Sequence, residues 1–268
     1  MKKIWIIGLL AGIGCGDAET GSHIGNPVSL AFTIFSSLSS ESGEPVFLDE
    51  NSTEYTLISA KMNVGEIRLN LPTGTTCADL STTSFVGAVC GLDDDVPAKE
   101  VIRVMGPFVV NLTDPKASPL DNVRVPALAY PQVVYRLENA DPQDGLIGAT
   151  DPLANLSFIA DATFLKDAVS NTLHLALKIN DDVEIENATG IEVGQNGAIS
   201  IKLDASNWLA GAGLGACLED GSIPIQNQSA TVDEDTECGD AEEILNSNIL
   251  SSSQVSETEA DEGATEDI

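Results

Sequence analysis

Five cysteines, two histidines and several acidic runs are the residues of this 268-residue chain that could do chemistry. His174 is the imidazole that a triad in the body of the chain would have to use, because His23 lies close to the amino terminus. Neither a GxSxG elbow nor an SxxK pair accompanies it. In "TLHLALKI" (172–179) strict alternation puts His174 and Lys178 on one face, opposite Leu173, Leu175, Leu177 and Ile179. An exposed strand histidine is therefore expected, and no catalytic residue is assigned. With no second histidine in the body, a His-based metal site has no second imidazole ligand.

The acidic runs are "LDDDVPAKE" (Asp93, Asp94, Asp95), "NDDVEIE" (Asp181, Asp182) and "DEDTECGD" (Asp233, Asp235, Glu237, Asp240). Calcium takes six to eight oxygen ligands from such loops. The last run starts like an EF-hand loop, but Cys238 stands where the sharp-turn glycine belongs and Ile244 where the bidentate glutamate belongs. Asp233, Asp235, Glu237 and Asp240 remain candidate ligands of a looser Ca²⁺ site, with solvated loops as the default, and no other cofactor is indicated. The carboxylate pair of a glycosidase is defined by spatial separation, and nothing in the sequence selects one.

The five cysteines are Cys15, Cys77, Cys90, Cys217 and Cys238. Cys15 sits where an apolar run ends: Lys2 and Lys3, then ten apolar or glycine residues from Ile4 to Ile13, then the small Gly14. That is the layout of a secretory signal (1–14). As a helix, ten residues rise only about 15 Å, half of a hydrocarbon core of about 30 Å, so the run is too short to span a membrane. "LLAGIGC" resembles a bacterial lipoprotein box, whose cysteine becomes the acylated first residue of the mature chain; Gly12 stands where such boxes usually carry leucine. The alternative is ordinary secretion with cleavage after Ala18. Setting Cys15 aside as a lipid site leaves four cysteines in an exported, oxidising setting, which favours disulfides. Three connectivities are open. Cys77–Cys90 and Cys217–Cys238 are the expected pairs, since each encloses a short polar segment.

Charge excludes several partners. The chain has 42 Asp and Glu against 12 Lys and Arg, and the last 66 residues hold sixteen acids and no Lys or Arg. Such a surface repels nucleic-acid phosphates. It suits solubility, cationic partners or divalent cations. Five Asn-x-Ser/Thr sequons, at Asn51, Asn111, Asn155, Asn187 and Asn227, reflect an Asn/Ser/Thr-rich composition if the export signal is bacterial.

The elements that would position these residues are written as strands. Expected strands are 28–35, 55–64, 66–71, 101–112, 133–140, 156–164, 172–179 and 183–188, with a hairpin over 190–204 turning at Asn196-Gly197. Two short helical stretches are expected at 204–213, capped by Asp204 and burying Trp208 and Leu209, and at 241–250. Residues 15–27 read as a lipidated tether and 251–268 as an acidic tail too poor in apolar residues to fold. Residues 28–240 form the body, as one β-sandwich or two subdomains. The expected class is all-β: an antiparallel β-sandwich of immunoglobulin or prealbumin type, with one or two short helices near the carboxyl terminus and disordered ends.

"CGDAETGSHIGNP" is similar to the mature start of uncharacterised proteobacterial lipoproteins, which run Cys-Gly, Glu-Thr-Gly, Asn-Pro. "YTLISAKMNVGEIRLNL", "GPFVVNLTD" and "ISIKLDASNWLAG" resemble the body of the same proteins. The resemblance implies a cell-envelope lipoprotein with a β-sandwich, held at the outer membrane by its lipid, and carries no catalytic residue. The functional expectation is a non-catalytic, lipid-anchored protein that binds an unknown protein or polysaccharide or serves the surface structurally. The alternatives are a Ca²⁺-dependent carbohydrate or surface-polymer binder and a secreted hydrolase using His174 or an unrecognised carboxylate pair.

Overall fold

The segment "EYTLISAKMNVGEIRLN", read from the sequence as two strands meeting near Gly65, is one strand of 17 residues, β4 (Glu54–Asn70). Its inward set changes phase twice, from Tyr55 and Leu57, to Ala60, Met62 and Val64, to Ile67 and Leu69. The pairing register shifts at the same places, between Leu57 and Ser59 and between Val64 and Glu66. Each irregularity adds a residue, so the strand keeps its apolar side on the core although strict alternation is broken. At Gly65 a Cβ would lie 2.3 Å from Glu138 Cδ, the movable end of that side chain. Gly106, on the neighbouring strand, would place a Cβ 2.5 Å from the carbonyl oxygens of both Val64 and Gly65.

The computed structural model describes residues 27–258 apart from 42, 81–84, 95, 97, 115–117 and 192–197. The expected signal segment, Cys15, the tether up to residue 26, the last ten residues of the tail and the Asn196-Gly197 turn lie outside the described residues.

β4 is the spine of a large sheet. On one flank its first half pairs with β3 (Pro45–Leu48) and its second with β6 (Glu100–Asn111); on the other flank the halves pair with β9 (Phe158–Lys166) and β8 (Tyr130–Leu137). The sheet is extended by β2 (Leu38–Ser39), β5 (Val89–Leu92), β10 (Val169–Leu177), β11 (Asp181–Ile191) and β13 (Ser229–Val232). A smaller sheet has the order β14 (Ser253–Thr258), β12 (Ala198–Asp204), β1 (Pro27–Phe35), β7 (Val125–Pro126). One apolar core joins the two sheets: Leu30 and Phe32 of β1 and Ile199 and Ile201 of β12 belong to the same cluster as Ile67, Leu69 and Tyr135. Phe32 meets Tyr135 edge-on across the layers, with centroids 5.3 Å apart. The chain is thus an all-β, sandwich-like fold.

Four expectations are corrected. Pairing is mostly antiparallel, but β1–β12 and β10–β13 are parallel, which their long connections permit. β11 and β12 do not form the expected hairpin: β11 pairs with β8 and β12 with β1 and β14, so the chain changes sheets between them. The helix expected at 204–213 is a 3₁₀ turn, Ala205–Asn207, capped by Asp204, which accepts from Ser206 N at 3.0 Å. Gly211 and Gly213, both at positive φ, redirect the chain, and the helix α1 begins later, at Leu214–Asp220. The tail expected to stay unfolded from residue 251 instead supplies β14. Its backbone pairs with β12, Ser253 bonds Tyr135 Oη at 2.6 Å, and Val255 packs on the core. Helix α2 (Ala241–Ser251) leads into it.

Trp208 and Leu209 are fully buried. Trp208 stands edge-on to Phe158 at 5.3 Å and donates from Nε1 to Ser252 Oγ at 3.2 Å. The disulfides are Cys77–Cys90 and Cys217–Cys238, the near-neighbour pairs. They are the chemistry of an oxidising, extracytosolic compartment. Among the described residues no helix is long and apolar enough to cross a membrane.

Candidate functional site

Past Gly65, alternation turns Ile67 and Leu69 into the core and leaves Glu66, Arg68 and Asn70 on the outer face of the large sheet. β8 brings Gln132 and Arg136 to the same face, and β11 brings Asp182 and Glu184. Register sets the neighbours: Glu66 and Asp182 both lie opposite Arg136, while Arg68 lies opposite Arg103 of β6. Two guanidinium groups directly across a strand pair repel each other unless carboxylates come between them. The loop after β5 delivers two such carboxylates, and Glu66 of β4 is a third. Asp93 takes Arg68 Nη1 at 3.3 Å, Asp94 takes Arg103 Nη2 at 2.7 Å, and Glu66 accepts from Arg103 Nε. The loop is held over the sheet by Asp93 N donating to Lys99 O at 2.7 Å, and the Cys77–Cys90 bridge anchors the strand that feeds it.

On the other side of Arg68, Nη2 binds Asp182, which also receives Arg136 through Nε at 2.6 Å and Nη2 at 3.2 Å. Burial pushes the Asp182 carboxyl upward, but the Arg136 bonds and the Arg68 charge outweigh it and leave its pKa below the usual aspartate value. Below this pair runs a chain of amides: Asn70 Nδ2 donates to Gln132 Oε1, and Gln132 Nε2 donates to Glu184 Oε2 at 3.0 Å. Asn70 is 4 % exposed, and its Oδ1 has no hydrogen-bond partner among the described residues. Together these side chains line an open cleft of about 570 Å³. Its walls offer fixed donors and acceptors side by side, and three cations face five carboxylates.

The sequence found half of this site. Asp93, Asp94 and Asp182 stood out as acidic runs and read as solvated loops, but the structure brings them onto arginines. Three of the chain's four arginines, Arg68, Arg103 and Arg136, meet here. They were missed, although the spacing of Glu66, Arg68 and Asn70, and of Gln132, Val134 and Arg136, already put each set on one strand face.

The remaining candidates stand elsewhere. His174 Nδ1 pairs with Asp161 of β9, whose other oxygen accepts from Ser59 Oγ at 2.8 Å. The carboxylate thus lies between serine and histidine, whereas a nucleophilic triad needs the imidazole between serine and acid. Asp233, Asp235, Glu237 and Asp240 are not gathered into a ligand set: Asp233 Oδ1 closes its own turn, accepting from Asp235 N at 3.1 Å and Thr236 Oγ1 at 3.0 Å. Among the described residues no group of three or more His, Cys, Asp or Glu could hold a metal ion.

No protein-family model matches the chain, and no curated protein matches it in sequence. Among solved structures, MbnP from Methylosinus trichosporium is similar at a TM-score of 0.37 and 10 % identity, over 68 % of this chain and 77 % of that one. A likeness of that degree carries no argument about function.

Proposed function

We propose that the chain is an exported protein of the bacterial cell envelope, lipid-anchored through Cys15 at the outer membrane, that acts by binding rather than catalysis, with the polar cleft of the large sheet as its binding face. The observation that carries the anchor is the cysteine balance. Four cysteines are used in two disulfides, and Cys15, at the end of the apolar run, is the thiol left for acylation. The resemblance of "LLAGIGC" and "CGDAETGSHIGNP" to proteobacterial envelope lipoproteins supports the same reading.

The fold is suited to such an anchor. β1 starts beside the end of β14: Ser29 pairs with Ala198, and Ala198 with Thr258. β1 therefore starts, and β14 ends, at the same end of the smaller sheet. The eleven residues between Cys15 and β1 reach at most about 40 Å, so an anchor at Cys15 would keep the start of β1 within that distance of the membrane. Growing cells with a clickable fatty-acid analogue tests the anchor. The wild-type protein takes up label, and Cys15→Ala loses both label and membrane association; an unlabelled wild-type protein contradicts the reading.

A further inference from the structure

We propose that the cleft between Arg68, Asn70, Gln132, Arg136, Asp182 and Glu184 is a saccharide site that takes neutral or amino-bearing sugar residues and rejects uronic acids. This deepens the binding role proposed above and rests on it.

Three features point to that ligand class. The first is the pairing of donors with acceptors. A sugar hydroxyl both donates and accepts, and this wall sets guanidinium and amide N–H groups beside carboxylate and amide oxygens. The Asn70–Gln132–Glu184 chain ends in a carboxylate able to accept from a hydroxyl or an ammonium.

The second is charge. Arg68 is held between Asp93 and Asp182, and Arg136 grips Asp182 with two nitrogens, so the guanidinium charges are already matched by carboxylates. With five acids against three bases in the lining, and a net charge of −30 on the chain, a polyanion is repelled and an amino sugar is attracted. The third is shape and apolar content. At about 570 Å³ the cleft lies within the usual range of roughly 300–1,000 Å³ for small-ligand sites. Val96 and Val134 are its apolar lining, enough to meet the C–H face of a sugar ring but not the aromatic or methionine-rich centre of a protein interface.

The test is calorimetry on the mature protein with three hexasaccharides: the N-acetylglucosamine hexamer (neutral), its deacetylated form (cationic) and hexagalacturonate (anionic). The neutral and cationic hexamers bind. The cationic one binds more tightly at low salt and loses that advantage at high salt, and the uronate binds at least about tenfold more weakly, a 1.4 kcal/mol preference. Gln132→Ala, which breaks the amide chain, and Glu184→Gln, which removes its terminal charge, each weaken binding about fivefold or more, with thermal melts near wild type showing that both fold. His174→Ala, on another part of the outer face, leaves binding unchanged. The proposal is overturned if neither the neutral nor the cationic hexamer binds, if the uronate binds as well as they do, or if both cleft variants bind like wild type. Fatty-acid labelling is independent of this outcome, so a failed anchor and a failed sugar site are distinguishable.

Discussion

Replacing Arg68 by methionine keeps most of the side chain's volume and removes its charge. Which carboxylates that orphans can be read from the ion pairs. Asp182 keeps both bonds from Arg136, and Glu66 and Asp94 keep Arg103. Asp93 is different: its side chain is 5 % exposed and pairs with Arg68 at 3.3 Å, so the variant takes a cation from a buried carboxylate. Breaking a buried pair by removing one partner costs about 3–5 kcal/mol, because the other charge stays buried. The Arg68–Arg103 opposition across β4 and β6 is relieved at the same time, which places the expected loss near the lower end, about 3 kcal/mol. For a chain of this size that is a drop in Tm of about 6–12 °C. Urea unfolding can be followed by the fluorescence of Trp208, which is fully buried and is the tryptophan that remains once the segment containing Trp5 is removed. The double variant Arg68→Met/Asp93→Asn should recover most of the loss. A single-variant cost below about 1 kcal/mol, or a double variant no more stable than the single, refutes the reasoning.

Three further outcomes follow from the same geometry. Ending the chain at Ser252 removes β14, the Ser253 bond to Tyr135 and the packing of Val255, and should cost about 2–4 kcal/mol in urea unfolding; an unchanged midpoint contradicts this. Serine replacement of either disulfide pair should cost about 3 kcal/mol from loop entropy, slightly more for Cys217–Cys238, whose separation is 21 residues against 13; equal stability under reducing and non-reducing conditions contradicts this. Asp182 has a lowered pKa, so its stabilising contribution is complete above the ordinary aspartate value of about 3.9 and is lost as pH falls through the depressed value. The stability gap between wild type and Asp182→Asn should be flat from pH 7 to 5 and close on further acidification, and a gap that widens in acid contradicts the assignment.

Much of the fold is legible because its signals are local. The β10 segment alternates without a break, and it pairs along its whole length with β9. The segments that were misread depend on distant partners. β4 looked like two strands because its phase changes at Gly65, and only its pairing with β6, where Gly106 lies against the carbonyls of Val64 and Gly65, shows that the strand runs on through the irregularity. β14 looked too polar to fold, yet an edge strand needs a backbone partner more than apolar content, and β12 supplies that partner from fifty residues upstream. The cleft follows the same pattern. Asp93 and Arg68 are 25 residues apart and Arg68 and Asp182 are 114 apart, so no sequence window holds them together. Strand alternation already put Arg68 and Arg136 on polar faces; what it lacks is the strand order, β6-β4-β8-β11, that lays those faces side by side.

The most direct test of the account is the intact mass of the mature protein and of its amino-terminal peptide, taken from the membrane fraction of the cell that makes it. The account predicts a chain that begins at Cys15 and carries a lipid, with the other four cysteines oxidised in pairs. A chain that begins at Glu19, after cleavage behind Ala18, and carries no acyl mass contradicts it.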